Sequence, residues 1–144
     1  MDIYCDGACS GNQFKKNIGA WGYIVVDNNN RTGAVERDTT NNRMELIAFH
    51  ESLKYAARSG KDCIIYTDSS YVFNAYNRLV IWKVNKWKSG SGKAIKHMDL
   101  WTKIWELQQY SKVKVKKVQA HTDDKWNNEV DLFIHGLIRD AVST

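Results

Sequence analysis

The 144-residue chain has no proline, so its turns rest on glycine, asparagine and aspartate. It also has no apolar run near the ~18 residues that a membrane-crossing helix needs. The opening MDIYCDG lacks a basic stretch followed by an apolar one, so it does not read as a secretory signal. Cysteine is scarce and odd in number: Cys5, Cys9 and Cys63. Without a secretory signal, that count argues for reduced thiols. A zinc site built from Cys5, Cys9 and a histidine such as His121 would lack the second paired Cys/His motif that structural zinc sites carry. Repeats, low-complexity tracts and linkers are missing as well, and the SGSG at 89–92 is too short to join domains. These absences lead to the expectation of a single domain over residues 1–144, monomeric, with no membrane partner and a cytoplasmic, intracellular setting.

What the chain does have is enough apolar material for a packed core. Hydrophobic residues make up 43% and aromatics 12%, which separates it from disordered sequences. The formal net charge is +5, and its placing says more than its size. From Arg78 to Lys96 there are six basic residues and no acidic one, with Trp82 and Trp87 interleaved among the lysines. Basic side chains neutralise phosphates with release of counterions, and aromatic faces pack on sugars or bases. Lys86, Lys88, Lys93, Trp82 and Trp87 are therefore candidate nucleic-acid contacts on a basic protrusion of about 78–96. The plainer reading of the tryptophans is core packing.

The patterning predicts a mixed α/β protein. Residues 2–9 and 20–26 read as strands, Asp27 to Asn30 as a hairpin turn, and 32–38 as a returning strand. Residues 41–58 repeat apolar side chains at helical spacing, with Thr40 or Asn41 as N-cap. A short apolar strand at 62–67 follows, then a helix over 69–77, another over 99–110, a lysine-faced strand at 112–118 and a closing helix over 126–142. A hairpin start followed by βα alternation implies antiparallel pairing first and parallel pairing after.

Four carboxylates stand where such a fold can aim them together. Asp6 and Asp68 end strands, Glu45 opens a helix and Asp131 lies in the last helix. Strand ends near a topological switch are where groups gather in such sheets. Gathered carboxylates repel one another unless cations lie between them, and their hard oxygens suit Mg²⁺ or Mn²⁺. Two such ions ~4 Å apart clamp both the attacking and the leaving oxygen of an in-line phosphoryl displacement. That chemistry points to a nuclease. Taken singly, Asp6 and Asp68 also suit turn capping, and Glu45 suits the positive end of a helix dipole.

At these same residues the chain resembles the type 1 ribonuclease H family. The matching strings are YCDGACSGN (4–12), TTNNRMEL (39–46), YTDSSYV (66–72), MDLW (98–101) and AHTDDKWNNEVD (120–131). The resemblance implies a ribonuclease H-like fold, with a five-stranded mixed sheet (three antiparallel, then parallel strands) flanked by helices. It also implies an endonuclease that cuts the RNA strand of RNA·DNA hybrids, leaving 5′-phosphate and 3′-hydroxyl ends. In that scheme Asp6 bridges two metal ions, Asp131 helps hold the one carrying the water, and Glu45 and Asp68 hold the other. His121 assists the attacking water or product release, and a pKa near 6.5 suits that work. Recognition of the 2′-hydroxyl falls to Cys9, Asn12, Asn41, Asn42 and Glu45, with Ser70 a further contact. Thr40 and Asn12 fit a phosphate pocket for the DNA strand. His50, His97 and His135 carry no motif and read as structural or surface residues.

The chain departs from the family pattern in the basic QFKKNIG after Asn12, in the absence of glycine around His121, and in the bulky LFIHG after Asp131. Two other readings compete. A related proofreading exonuclease would begin with Asp-x-Glu, where this chain has Asp6-Gly7-Ala8. A non-catalytic nucleic-acid-binding domain of the same fold would be expected to have lost a carboxylate.

Overall fold

A computed structural model describes residues 1–11, 17–119 and 123–143; Asn12 and His121 lie outside the described residues. The elements are β1 (Asp2–Ser10), β2 (Ile18–Val25), β3 (Asn30–Arg37), α1 (Asn41–Ser59), β4 (Asp62–Thr67), α2 (Ser70–Tyr76), α3 (Leu79–Val84), α4 (Met98–Gln108), β5 (Lys112–Lys117) and α5 (Lys125–Val142). They build a five-stranded sheet in the order β3-β2-β1-β4-β5. The β1–β2 and β2–β3 pairs are antiparallel, and the β1–β4 and β4–β5 pairs are parallel. The expected mixed sheet is therefore present, with β1 at its centre. No helix among the described residues is long and apolar enough to cross a membrane.

Alternation along the strands divides the side chains between two faces. On one face Ile3, Cys5, Val25, Cys63 and Ile65 form the main core with Leu46, Phe49 and Leu53 of α1 and with Trp101 and Ile104 of α4. On the other, Tyr4, Ile24 and Ala20 meet Val130, Ile134 and Ile138 of α5. Burying so many fully enclosed aliphatic and aromatic side chains is the main stabilising contribution, at roughly 1.5–3 kcal/mol for each.

Thr40 is the N-cap of α1, its Oγ1 accepting from the Arg43 N–H at 3.1 Å. Asn41 is the first helical residue, and it has another task. Its Oδ1 accepts from the Cys9 N–H at 2.7 Å, tying the end of β1 to the start of α1. The helix stops at Gly60, which takes the left-handed conformation with φ 66. The hairpin turn holds Asn29 at φ 56, a residue type that tolerates this region.

Two features differ from the sequence expectation. The strands of the hairpin start two residues earlier, at Ile18 and Asn30. The basic segment also contains a short helix, α3, followed by a small hairpin closed by a Lys88–Ala94 bridge with SGSG at its tip. Lys86 and Trp87 turn the chain between them with φ 55 and 63. Neither residue type favours that region.

Close approach of β1 and α1 depends on Gly7. A Cβ there would lie 2.3 Å from both the Met44 carbonyl carbon and the Glu45 amide nitrogen. Both atoms are backbone, so the helix itself would have to move. Gly22, the cross-strand partner of Asp6, likewise leaves room for Phe133 of α5. Gly7→Ala is expected to destabilise the fold by about 1–3 kcal/mol and to displace Glu45 from Asp6. Chemical denaturation of the two proteins checks this, and equal stability would show that α1 can slide freely.

Candidate active site

The site forms where the carboxyl ends of β1 and β4 meet the start of α1 and the first half of α5. Asp6 points from the centre of the sheet and is only 3% exposed. The Gly7 N–H donates to its Oδ1 at 2.9 Å. Asp68 directly follows β4, beside Ser69, whose side chain caps α2 by accepting from the Val72 N–H at 3.0 Å. Glu45 comes off the second turn of α1. One carboxylate oxygen from each of Asp6, Glu45 and Asp68 lies within 4.8 Å of the others.

Crowding shows in the protonation of all three. Burial pushes the Asp6 carboxyl up to about 8, helped by the charges of Asp68 and Asp131 and opposed by a hydrogen bond with Glu45. Glu45 is raised well above the usual carboxylate range, first by burial and then by Asp6 and Asp68. Asp68 is raised by burial and by Asp131, while hydrogen bonds to its own amide, Asn127 and Asp6 pull the other way. Glu45 Oε2 is buried without a hydrogen-bond partner among the described residues. A buried carboxylate oxygen without a donor is costly. Hard oxygens at this spacing, one of them unpartnered, are a donor set suited to divalent cations. The residues present therefore fit a metal centre.

Asp131 lines the same pocket of about 270 Å³, together with Asn41, Asn127 and Asn128. It stands outside the close trio. Its Oδ1 lies 3.3 Å from Nε2 of His135, one helical turn on. Asn127, Asp131 and His135, spaced at four-residue steps on α5, thus all line the pocket. Asn127 is buried, hydrogen-bonds Asp68 and leaves its own Oδ1 unpartnered. Sequence reasoning did not single out Asn127 and read His135 as a structural or surface residue, whereas both line the pocket, at four-residue steps from Asp131.

The position of α5 rests on Asp124. Its Oδ1 accepts from the Trp126 and Asn127 N–H groups, capping the helix, and its Oδ2 accepts from the Tyr4 hydroxyl at 3.1 Å. The residue that starts α5 is thus tied to β1, two residues from Asp6.

The remaining sequence candidates separate into groups. Cys9 is half-buried at the tie between β1 and Asn41, and Thr40, Asn41 and Asn42 are exposed at the mouth of the site. Ser70 is exposed at the start of α2 and does not line the pocket. Lys86, Lys88 and Lys93 are exposed on the protrusion. Trp82 and Trp87 are half-buried and pack against the main core, Trp82 edge-on to Trp101 with ring centroids 5.6 Å apart. Much of their surface thus has a structural use, because short α3 needs apolar anchors to stay on α4.

Arg43 holds the base of that protrusion. Its guanidinium pairs with both oxygens of Asp99 at 3.0 and 2.7 Å and lies 3.1 Å from His97 Nδ1. The same contact holds the Asp99 carboxyl down to about 2. Beside it, Glu36, Arg37, Asp38, Thr39, Thr40, Arg43, Ile47 and His97 line a second hollow of about 280 Å³, so two acids share it with the basic groups.

A family model described as RNase H matches residues 1–137. A ribonuclease H of Clostridium botulinum is 42% identical over 135 residues, covering 90% of this chain and 89% of the relative. One from Syntrophomonas wolfei is 37% identical over 141 residues, covering 95% and 94%. Among solved structures, the foamy viral protease-reverse transcriptase in complex with RNA/DNA hybrid superposes with a TM-score of 0.87 at 19% identity. It matches over 96% of this chain and 20% of its own.

Asp6 gives a pH test of the metal-free site. Its pKa of about 8 stands above the ordinary 3.8, so the native state keeps a proton that the unfolded chain gives up. The stabilisation is complete below the ordinary value and is lost as pH rises through about 8. In EDTA, the melting temperature is expected to fall between pH 5 and pH 9, and to fall less in Asp6→Asn. At pH 9 the variant should melt above the wild type; parallel curves would show that Asp6 is not under repulsion.

Proposed function

The chain belongs to the RNase H family, and on that premise we propose that it is an endonuclease hydrolysing the RNA strand of RNA·DNA hybrids with two divalent ions. Mg²⁺ is the proposed cofactor, with Mn²⁺ as a substitute. The products would carry 5′-phosphate and 3′-hydroxyl ends. The observation that carries this reading is the trio of carboxylate oxygens within 4.8 Å of one another, with Asp131 on the wall of the same pocket.

Asp6, Glu45, Asp68 and Asp131 would hold the ions. When bound, the ions supply a hydroxide nucleophile at neutral pH and relieve charge at the leaving 3′-oxygen. Asn127 fixes the orientation of Asp68 through its hydrogen bond, as groups behind metal ligands commonly do. His121 is proposed to exchange the proton of the attacking water. Asn41 and Cys9, joined by their hydrogen bond, and Asn42 beside them offer donors and acceptors for the 2′-hydroxyl. Thr40 opens onto the hollow where Arg37, Arg43 and His97 stand alongside Glu36 and Asp38, and its hydroxyl and Arg43 would seat a phosphate of the DNA strand. Lys86, Lys88 and Lys93 would grip the duplex further along.

Labelled RNA·DNA, RNA·RNA and DNA·DNA duplexes test the reading. Cutting of only the hybrid's RNA strand, dependent on Mg²⁺ and abolished in EDTA and in Asp6→Asn, is expected. Hybrid binding without cutting in either Mg²⁺ or Mn²⁺ would replace it with a binding-module function. Separately, a Lys86→Gln, Lys88→Gln, Lys93→Gln triple variant should weaken hybrid binding about tenfold and lower the salt slope by about 2–3. An unchanged slope would take these lysines out of the interface.

A further inference from the structure

The protrusion is not the only concentration of positive charge. β5 carries Lys112, Lys114, Lys116 and Lys117 within six residues and no acid. Val113 and Val115 pack into the main core, so alternation sends Lys112, Lys114 and Lys116 to the opposite face. All three are exposed, and none is ion-paired among the described residues. That face belongs to α5, but α5 packs over β1, β2 and β3 and leaves most of β4–β5 uncovered. A hollow of about 510 Å³ opens beside Ile64, Lys112 and Lys114.

The row leads to the active site. In the β4–β5 register Lys114 stands beside Ile64, Lys116 beside Tyr66 and Lys117 beside Thr67, one residue before Asp68. Two half-buried aromatic side chains flank that end, Tyr66 stacked on Tyr4 and Trp126 with Lys125 over its ring at 5.1 Å. Apart from the carboxylates of the site itself, at which the row ends, the acids near β5 on this face are Asp2 and Asp62, toward the end away from Asp68, and Asp124, which is already engaged with Tyr4 and the α5 amides.

We propose that the lysine row of β5 is a second nucleic-acid contact, taking the single-stranded continuation of a substrate strand as it leaves the active site. The proposal rests on the nuclease reading of that site. Lysines spaced ~7 Å apart along a strand, ending beside aromatic rings, match the charge-and-stacking pattern of single-strand grooves. The row and the protrusion lie on opposite faces of the sheet. A duplex is stiff over ~50 nm, so one held against the protrusion cannot wrap onto β5, whereas a single strand can. Lysines on an edge strand also deter pairing with other sheets, and that role makes a different forecast.

The experiment compares binding in EDTA, by fluorescence anisotropy, of a blunt hybrid and of hybrids extended at either end by about ten unpaired nucleotides. The wild type is expected to bind one extended form at least fivefold more tightly, with a salt slope steeper by about 2. Replacing Lys112, Lys114 and Lys116 with glutamine should remove that gain, and replacing them with arginine should keep it. No gain from either extension, or a gain that survives in the glutamine variant, would overturn the proposal. So would a glutamine variant that merely aggregates while its soluble fraction binds as before. Photocrosslinking of bromouridine in the extension to wild-type protein needs no variant. Crosslinks at Tyr66 or Trp126 are expected, and crosslinks confined to 78–96 would refute it. Absence of any extension effect in a wild type that still cuts the hybrid removes this proposal alone. An extension effect without any cutting would instead remove the nuclease reading.

Discussion

Three carboxylates in mutual reach, two of them largely removed from water, are a constraint that the rest of the fold has to meet. Left alone, such a cluster favours opening, because burial and like charge both penalise ionisation. Packing holds it shut. The central strand supplies Asp6, its parallel neighbour supplies Asp68, and α1 is pressed so near β1 that only a glycine fits between them. The upward push on the Asp6 and Glu45 carboxyls, from burial first and like charge second, reflects this opposition. A bound cation would relieve the repulsion among these oxygens.

The two faces of the sheet divide the work. The face under α1, α2 and α4 holds the large core and carries the basic protrusion, anchored by Trp82 against Trp101 and braced by Arg43 and Asp99. The face under α5 holds the smaller clusters and brings Asp131 to the pocket. Each helix that contributes a carboxylate also has its first turn tied to β1, α1 through Asn41 and Cys9, α5 through Asp124 and Tyr4. The site is thus set by hydrogen bonds at helix starts as much as by the core beneath.

Much of this was legible in the residues. Period-two alternation in β1 and β5, the short apolar run of β4, the Asp27–Asn30 turn signal between β2 and β3 and the helical spacing of α1 placed these elements within a few residues, and α4 and α5 were read as helices as well. The carboxylates were legible because each sits at the end of a periodic segment or within a specific string such as TTNNRMEL. Short α3 was not. Six residues of LVIWKV, without a side-chain cap, cannot be told from a buried strand or loop by pattern alone. The half-burial of Trp82 and Trp87 depends on Trp101, some twenty residues on, and no local pattern reports it. Asn127 and His135 were not read as site residues for a different reason. Both stand at four-residue steps from Asp131, but neither residue type marks a site until the helix is laid against the sheet.

Asp6 and Asp131 stand far apart in the sequence, and the strand that bears the first is the centre of the sheet. No contiguous part of the polypeptide short of almost the whole carries the full set of four carboxylates. During synthesis the earlier segments can collapse into the larger core while α5 is still being made. The smaller face then stays open and the pocket lacks a wall. The last helix to emerge is therefore the one that completes the site, so a half-made or truncated chain carries its acidic residues without the means to use them.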